Sequence, residues 1–321
     1  MTRLIAAISR AAGSSWRTSP PLTVVAVTML LVFVPFVVGI FTDPRTITGV
    51  PAWLKPAKFA ISTAIYSLTL AWVFEKLPTW RRMRGWVGWT TAIVFAIEVV
   101  IIAVQAWRGT TSHFNVSTVL DGALFGVMGT LIVVQTAVSA AVAVALWRER
   151  TFGDRAIGWA MRLGMTMTIV GASTGGLMTR PTAAQLDQAR TTHVMTVAGA
   201  HTVGALDGGP GLPGTGWSTE HGDLRVPHFV GLHALQVLPL VVVLLRRRGW
   251  PESLRVRAAI GAGIAYAGLY ATLLVQALRG QPVLNPDAMT LAMFASVAAI
   301  AAVSWTLTGR RRRSLAVPAV L

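Results

Sequence analysis

The chain has no cysteine among its 321 residues. This excludes disulfides, thiolate metal ligands, cysteine-held iron–sulfur clusters and cysteine nucleophiles. A metal would have to be held by His, carboxylate, Met or backbone oxygen. Charge is scarce as well: only 12% of the residues are charged, against about 25% in ordinary soluble domains. Acidic residues are the rarer sign, with 12 Asp and Glu beside 28 Lys and Arg. So few charges cannot cover the surface of a soluble protein of this length. The net charge of +16 does not imply a nucleic-acid partner, because the arginines fall in short blocks between apolar runs, which is how topology signals are arranged.

Hydrophobic residues make up 54% of the chain and gather in long uncharged runs. Runs of about 18 residues or more read as membrane spans, and helices are the only regular structure that lets such a run satisfy its own backbone. The expected fold is therefore all-α: an integral membrane helical bundle of about eight transmembrane helices, forming a single domain over 1–321. The spans fall at 22–41, 57–75, 86–107, 120–147, 157–178, 226–245, 258–277 and 288–308. The first run is too long for the core of a signal peptide and reads as a retained helix. Residues 4–16 before it are expected to lie along the membrane surface. The basic clusters at 3–17, 76–84, 148–162, 246–257 and 310–313 fall on one side of this arrangement. By the positive-inside rule, both termini are cytoplasmic. The one sizeable connection, 179–225, is then extracytoplasmic; 183–206 is expected as an interfacial or re-entrant helix, followed by the Gly/Pro-rich stretch GGPGLPGTGW. Tryptophans near the span ends, among them Trp53, Trp107, Trp147 and Trp305, read as an aromatic belt.

The candidate functional residues collect on the extracytoplasmic side, where all six histidines fall. QAWRGTTSHFN at 105–115 supplies Arg108 and His113, with Asp121 soon after. STEHGDLRVPHFVGLHALQ at 218–236 supplies His221, Asp223, Arg225, His228 and His233. PAWLKPAKF places Lys55 and Lys58 at the mouth of the second span. Five residues turn a regular helix by about 140°, so His228 and His233 do not share a face of one, whereas His233 and Gln236 do. Asp121 and Asp223 also suit helix N-caps. Glu98 lies inside the third span, where an ionisable residue is costly and marks function by default; the structural alternative is a protonated acid bonded to a neighbour such as Gln135.

The stretches KPAKF, RGTTSHFN and DGGPGLPGTGWSTEHGDLRVPHFVGLHALQ resemble segments of uncharacterised bacterial polytopic membrane proteins, over most of the chain. The resemblance implies a bacterial plasma-membrane location and carries no activity with it. The HF-x-GLH pattern is similar to ligand segments of membrane cytochrome b subunits, and eight helices with outer histidines resemble haem A synthase in architecture, though its paired-histidine motifs are absent.

Three functions follow as expectations. In the first, the protein holds haem b or a transition metal for redox chemistry, with His113, His228, His233 and His221 as ligands and Lys55, Lys58, Arg108 and Arg225 binding propionates or another anionic group. In the second, it is a transferase or hydrolase for a lipid-linked or small anionic substrate, with Asp121 or Asp223 orienting a histidine. The PSGH signature of lipid phosphatases and the HxxxH spacing of ceramidase-like hydrolases are absent. In the third, it is a proton-coupled transporter using Glu98. The lipid bilayer is the one partner the composition demands.

Overall fold

The structure, a computed structural model, describes residues 13–316, with side chains described through Thr308. Residues 4–12 of the expected surface segment and the side chains of 310–313 lie outside the described residues. The helices run α1 Pro20–Thr42, α2 Leu54–Glu75, α3 Arg81–Trp107, α4 Val119–Arg148, α5 Arg155–Met178, α6 Ala183–Thr192, α7 Arg225–Leu232, α8 Ala234–Arg247, α9 Glu252–Leu278 and α10 Ala288–Ala316. Two short hairpins are added, β1 Thr46–Ile47 with β2 Val50–Pro51 and β3 Thr202–Val203 with β4 Gly222–Asp223. Six of the described helices (α1, α2, α3, α4, α9 and α10) are long and apolar enough to cross a membrane, and α7 with α8 makes a seventh if that bent pair is one span. The remaining expected span, α5, is long enough but is not among the apolar six. Its polar content is tolerable because Thr168, Thr174 and a row of glycines are buried against other helices, and a helix faced by protein need not be apolar all round.

The chain divides into two compact units. The first takes the chain up to Val142, with Thr179–Ala200 and Asp207–Gly216; the second takes Ala143–Met178, His201–Leu206 and Trp217 onward.

In the first unit, α1 starts on Pro20, whose fixed φ and missing amide suit a first helical turn. It packs on α2 and α3 through Val25, Met29, Ala60, Ala64, Ala92 and Val99. Leu31, Val34, Val38 and Phe41 remain exposed, an apolar face of the kind that marks contact with a membrane. The β1–β2 turn places Thr48 and Gly49 at φ 48° and 77°, as a two-residue type I′ turn requires. Trp53 is half-buried: it stacks on Phe36 at 5.7 Å and donates Nε1–H to Asp43 at 2.8 Å. A Cβ at Gly39 would fall 2.7 Å from that indole. Gly39→Ala is therefore expected to cost about 1–3 kcal/mol, read as a lowered melting temperature in detergent. The short α6 is capped reciprocally by Thr182 and Gln185 and ends where His193 turns left-handed at φ 55°. The helix expected over 183–206 thus occupies only its first part. Beyond it the chain is held in extended form, with Val197 bridged to Asn115.

In the second unit α5 is central, packed by α7, α8 and α9. Small residues permit this. A Cβ at Gly164 would meet the backbone of Ala234 and Leu235 at 2.9–3.3 Å, and one at Gly171 would fall 2.5 Å from the backbone of Gly231. Such close backbone approach is the usual packing mode of helices in membranes. The single span expected at 226–245 is broken at His233, where α7 and α8 meet at 46°. Sharp bends occur at proline and glycine; here Pro239 withholds an amide from the turn that follows the break, and Gly231 precedes it.

Asp154 clasps the unit at one end. It caps α5 through the amides of Ala156 and Ile157, at 3.0 and 3.2 Å, and accepts from the buried Arg255. Burial opposes its ionisation, but Arg255 and the two amides outweigh that and hold the carboxyl below the usual carboxylate range. A depressed folded pKa gives stability that is present above the ordinary value and lost as pH falls through and below about 4. Asp154→Asn should cost about 3 kcal/mol at neutral pH, with the gap between variant and wild type narrowing in unfolding curves taken at acid pH.

Candidate functional site

The residues singled out from the sequence fall into three groups, two in the first unit and one in the second. The first group is built on Lys55, Glu98 and His113. Lys55 opens α2, and its ammonium lies 3.0 Å from His113 Nδ1. An ammonium can only donate, so Nδ1 accepts. Ser112 Oγ also lies 3.1 Å from the same nitrogen. Phe59 and Phe114 flank the imidazole at 5.9 and 6.1 Å. Glu98 is 2% exposed on α3, and among the described residues neither of its carboxylate oxygens has a hydrogen-bond partner. The expected alternative, a bond to Gln135, is not present: Gln135 Nε2 instead donates to Ser139 Oγ at 3.4 Å, and Ser139 meets Tyr66 at 3.1 Å. The Lys55 ammonium acts on Glu98 electrostatically. Lys58 donates to the Thr215 carbonyl at 2.8 Å, which ties the Gly/Pro-rich stretch to α2.

The second group is a closed lattice around Asp121. Its Oδ1 accepts from Gln105 at 2.8 Å and from Arg108 at 2.6 Å, and its Oδ2 accepts from Thr118 at 2.7 Å. Thr118 Oγ1 in turn takes the Asp121 amide at 3.1 Å. Asn115 binds Thr110 and Ser117 beside it. Both Asp121 carboxylate oxygens are matched locally, so the lattice fixes the 105–121 connection and the start of α4.

The third group lies in the second unit. Asp223 is 2% exposed. It takes Arg225 as a fork, with Nη2 at 2.6 Å and Nε at 2.9 Å, and also accepts the Ser218 amide at 2.8 Å. His221 joins the same turn through its backbone amide, which donates to Ser218 Oγ at 3.1 Å. His228 donates Nδ1–H to the Gly171 carbonyl at 2.8 Å, and His201 interacts with it electrostatically. His233 stands at the helix break, 4.2 Å from the Phe229 ring and hydrogen-bonded to Gln236. A 46° bend separates α7 and α8 at His233, so His228 and His233 do not lie on one regular helix. Among the described residues no three His, Asp or Glu side chains are grouped so as to hold a metal ion.

Sequence reasoning missed Tyr66 and Ser139, whose polar groups meet inside the first unit; a tyrosine within an expected span was the available signal. It also missed the pairing of Gly171 with Gly231, which nothing in the spacing of the two glycines reveals.

Outside the helices two further carboxylates are held below their usual range. The Arg45 side chain and amide, with Trp53, do this for Asp43. Arg279 and the Thr290 amide do it for Asp287. Both are loop clasps at helix ends.

The fold defines a multi-pass α-helical protein of the membrane class. No protein-family model, curated protein or solved structure matches the chain.

Proposed function

We propose that the protein is a proton-coupled transporter in which Glu98 carries the proton. One observation supports this above the others: a carboxyl group buried in a membrane-type helix with both oxygens unpartnered among the described residues. A structural carboxylate is normally matched by donors, because leaving it unmatched is costly. Asp121 and Asp223 show that this chain matches its acids where they serve structure. Retaining an unmatched acid among apolar residues makes sense where the group must gain and lose a proton.

Lys55 and His113 supply the means of control. The His113 Nδ1 lone pair and the Glu98 carboxylate compete for one ammonium. A proton arriving on Nδ1 would end the Lys55 contact, since both partners would then be donors. Lys55 would be released toward Glu98 and would favour its anion. Loading at His113 and unloading at Glu98 are thereby coupled by simple electrostatics. The test is a pH step across liposomes containing the purified protein and an entrapped pH dye. Proton flux that survives Glu98→Gln would remove the proposal.

A second reading keeps a redox cofactor, and rests on His228. Its Nδ1–H is pinned to a backbone carbonyl, the arrangement that orients a metal-ligating histidine to present Nε2. A Soret band that sharpens on reduction, and is lost in His228→Ala, would favour it over the proton reading. A colourless, metal-free preparation would dismiss it.

A further inference from the structure

Between the last turns of α4 and the middle of α5, within the second unit, runs an open groove of about 440 Å³. Val144, Ile169 and Val170 give it an apolar floor, and Trp147, Thr166 and Arg148 border it. Its walls are tied together. Trp147 Nε1–H donates to Thr166 Oγ1 at 3.2 Å, and Trp147 meets Trp159 edge-on at 5.8 Å. Arg162 instead turns its guanidinium to the Leu146 and Glu149 carbonyls at 2.8 and 2.6 Å. Arg148 differs: it is exposed, and among the described residues it makes no hydrogen bond or ion pair.

We infer that this groove binds one anionic phospholipid, with an acyl chain along Val144, Ile169 and Val170 and the phosphate at Arg148. The volume lies within the range of ligand sites, about 300–1,000 Å³. An apolar trough offers a free phosphate only a single cation, so the occupant needs both a chain and a charged head. Trp and Arg at the rim are the residues that settle at headgroup level. The sign of the head follows from charge complementarity: Arg148 is followed by Arg150 and Arg155 against two acids that are both engaged, Glu149 by the Thr151 amide and hydroxyl and Asp154 by Arg255, with Arg246 lying 3.8 Å from Asp154. Basic sites between membrane helices select anionic heads in this way.

The test is native mass spectrometry of the detergent-purified full chain, titrated with phosphatidylglycerol and with phosphatidylcholine of the same acyl composition. Wild type should prefer the anionic lipid by about fivefold. Arg148→Gln should abolish the preference while retaining chain binding. Val144→Trp, which fills the trough, should weaken both lipids, whereas Val127→Trp, at an exposed site on the same helix, should change neither. Equal binding of the two lipids by wild type would overturn the inference, as would a preference that survives Arg148→Gln. A lipid-free dimer that Val144→Trp converts to monomer would also overturn it, since a second copy would then fill the groove. Arg148 is exposed and unbonded, so its variant keeps the test decisive even if the tryptophan variant fails to fold.

Discussion

Replacing Glu98 by Gln is expected to lower proton flux through the reconstituted protein by on the order of 100-fold or more, the scale on which a positioned proton-transfer group acts. Folding should scarcely change, because among the described residues the carboxyl group makes no hydrogen bond that Gln would lose. That contrast is the diagnostic feature: a structural acid would show a stability loss and no specific flux defect. Infrared difference spectra across a pH titration give an independent reading, since the signal of a titrating buried carboxyl should vanish in Glu98→Gln. Glu98→Asp keeps the proton but withdraws it by one methylene, so it should recover part of the flux. If Glu98→Gln conducts as wild type does, Glu98 is a passive resident of its helix.

Placing a side chain at Gly171 is expected to disrupt the second unit. A Cβ there would fall 2.5 Å from Gly231 Cα and carbonyl carbon, and a Cβ at Gly231 would fall 2.4 Å from Gly171 Cα. These are backbone atoms, so no rotamer change can relieve the clash. Alanine at either site should cost about 1–3 kcal/mol, and leucine at 171 more. The contact brings hydrogen bonds with it: His228 to the Gly171 carbonyl at 2.8 Å, Thr168 to the Leu232 carbonyl at 3.2 Å, and Tyr266 to the Val230 carbonyl at 2.5 Å. Thermal unfolding followed by protease sensitivity measures the loss. The double alanine variant should cost less than the two single costs added, because helices already pushed apart leave the second methyl less to collide with. Costs that add in full would mean that the two glycines do not share one contact.

Much of the helical architecture was legible from hydropathy. The spans expected at 22–41, 120–147 and 157–178 correspond to Pro20–Thr42, Val119–Arg148 and Arg155–Met178. The helix expected at 86–107 begins earlier, at Arg81, because an arginine-rich turn continues a helix well even where it is too polar for the apolar core. The break at His233 was not legible. Averaged hydropathy is indifferent to Pro239, and the bend depends on what the neighbouring helix allows. The site was legible only as chemistry. Glu98 announced itself as an acid among apolar residues, but its missing partner depends on where α4 places Gln135. The contact of Lys55 with His113 joins residues far apart in the chain, and no local pattern encodes it. Asp121 and Asp223 could be read as caps or as catalysts; their neighbours from other turns complete the clasps.

Arg162 illustrates a residue with two successive lives. As the chain enters the bilayer it is one positive charge in the 148–162 cluster, weighing on which way the neighbouring helices are threaded. Once folded it lies with its guanidinium 4.8 Å from the Phe152 ring and 5.7 Å from that of Trp159, holding two carbonyls at the end of α4. Its charge then lies against aromatic rings and two of its donors are spent on a helix terminus. A lysine in its place would serve the first duty equally well and fail the second, lacking the flat fork that spans both carbonyls. Threading direction and final packing are thus separable by that one exchange: the helices would insert in the same sense and then fray where α4 ends.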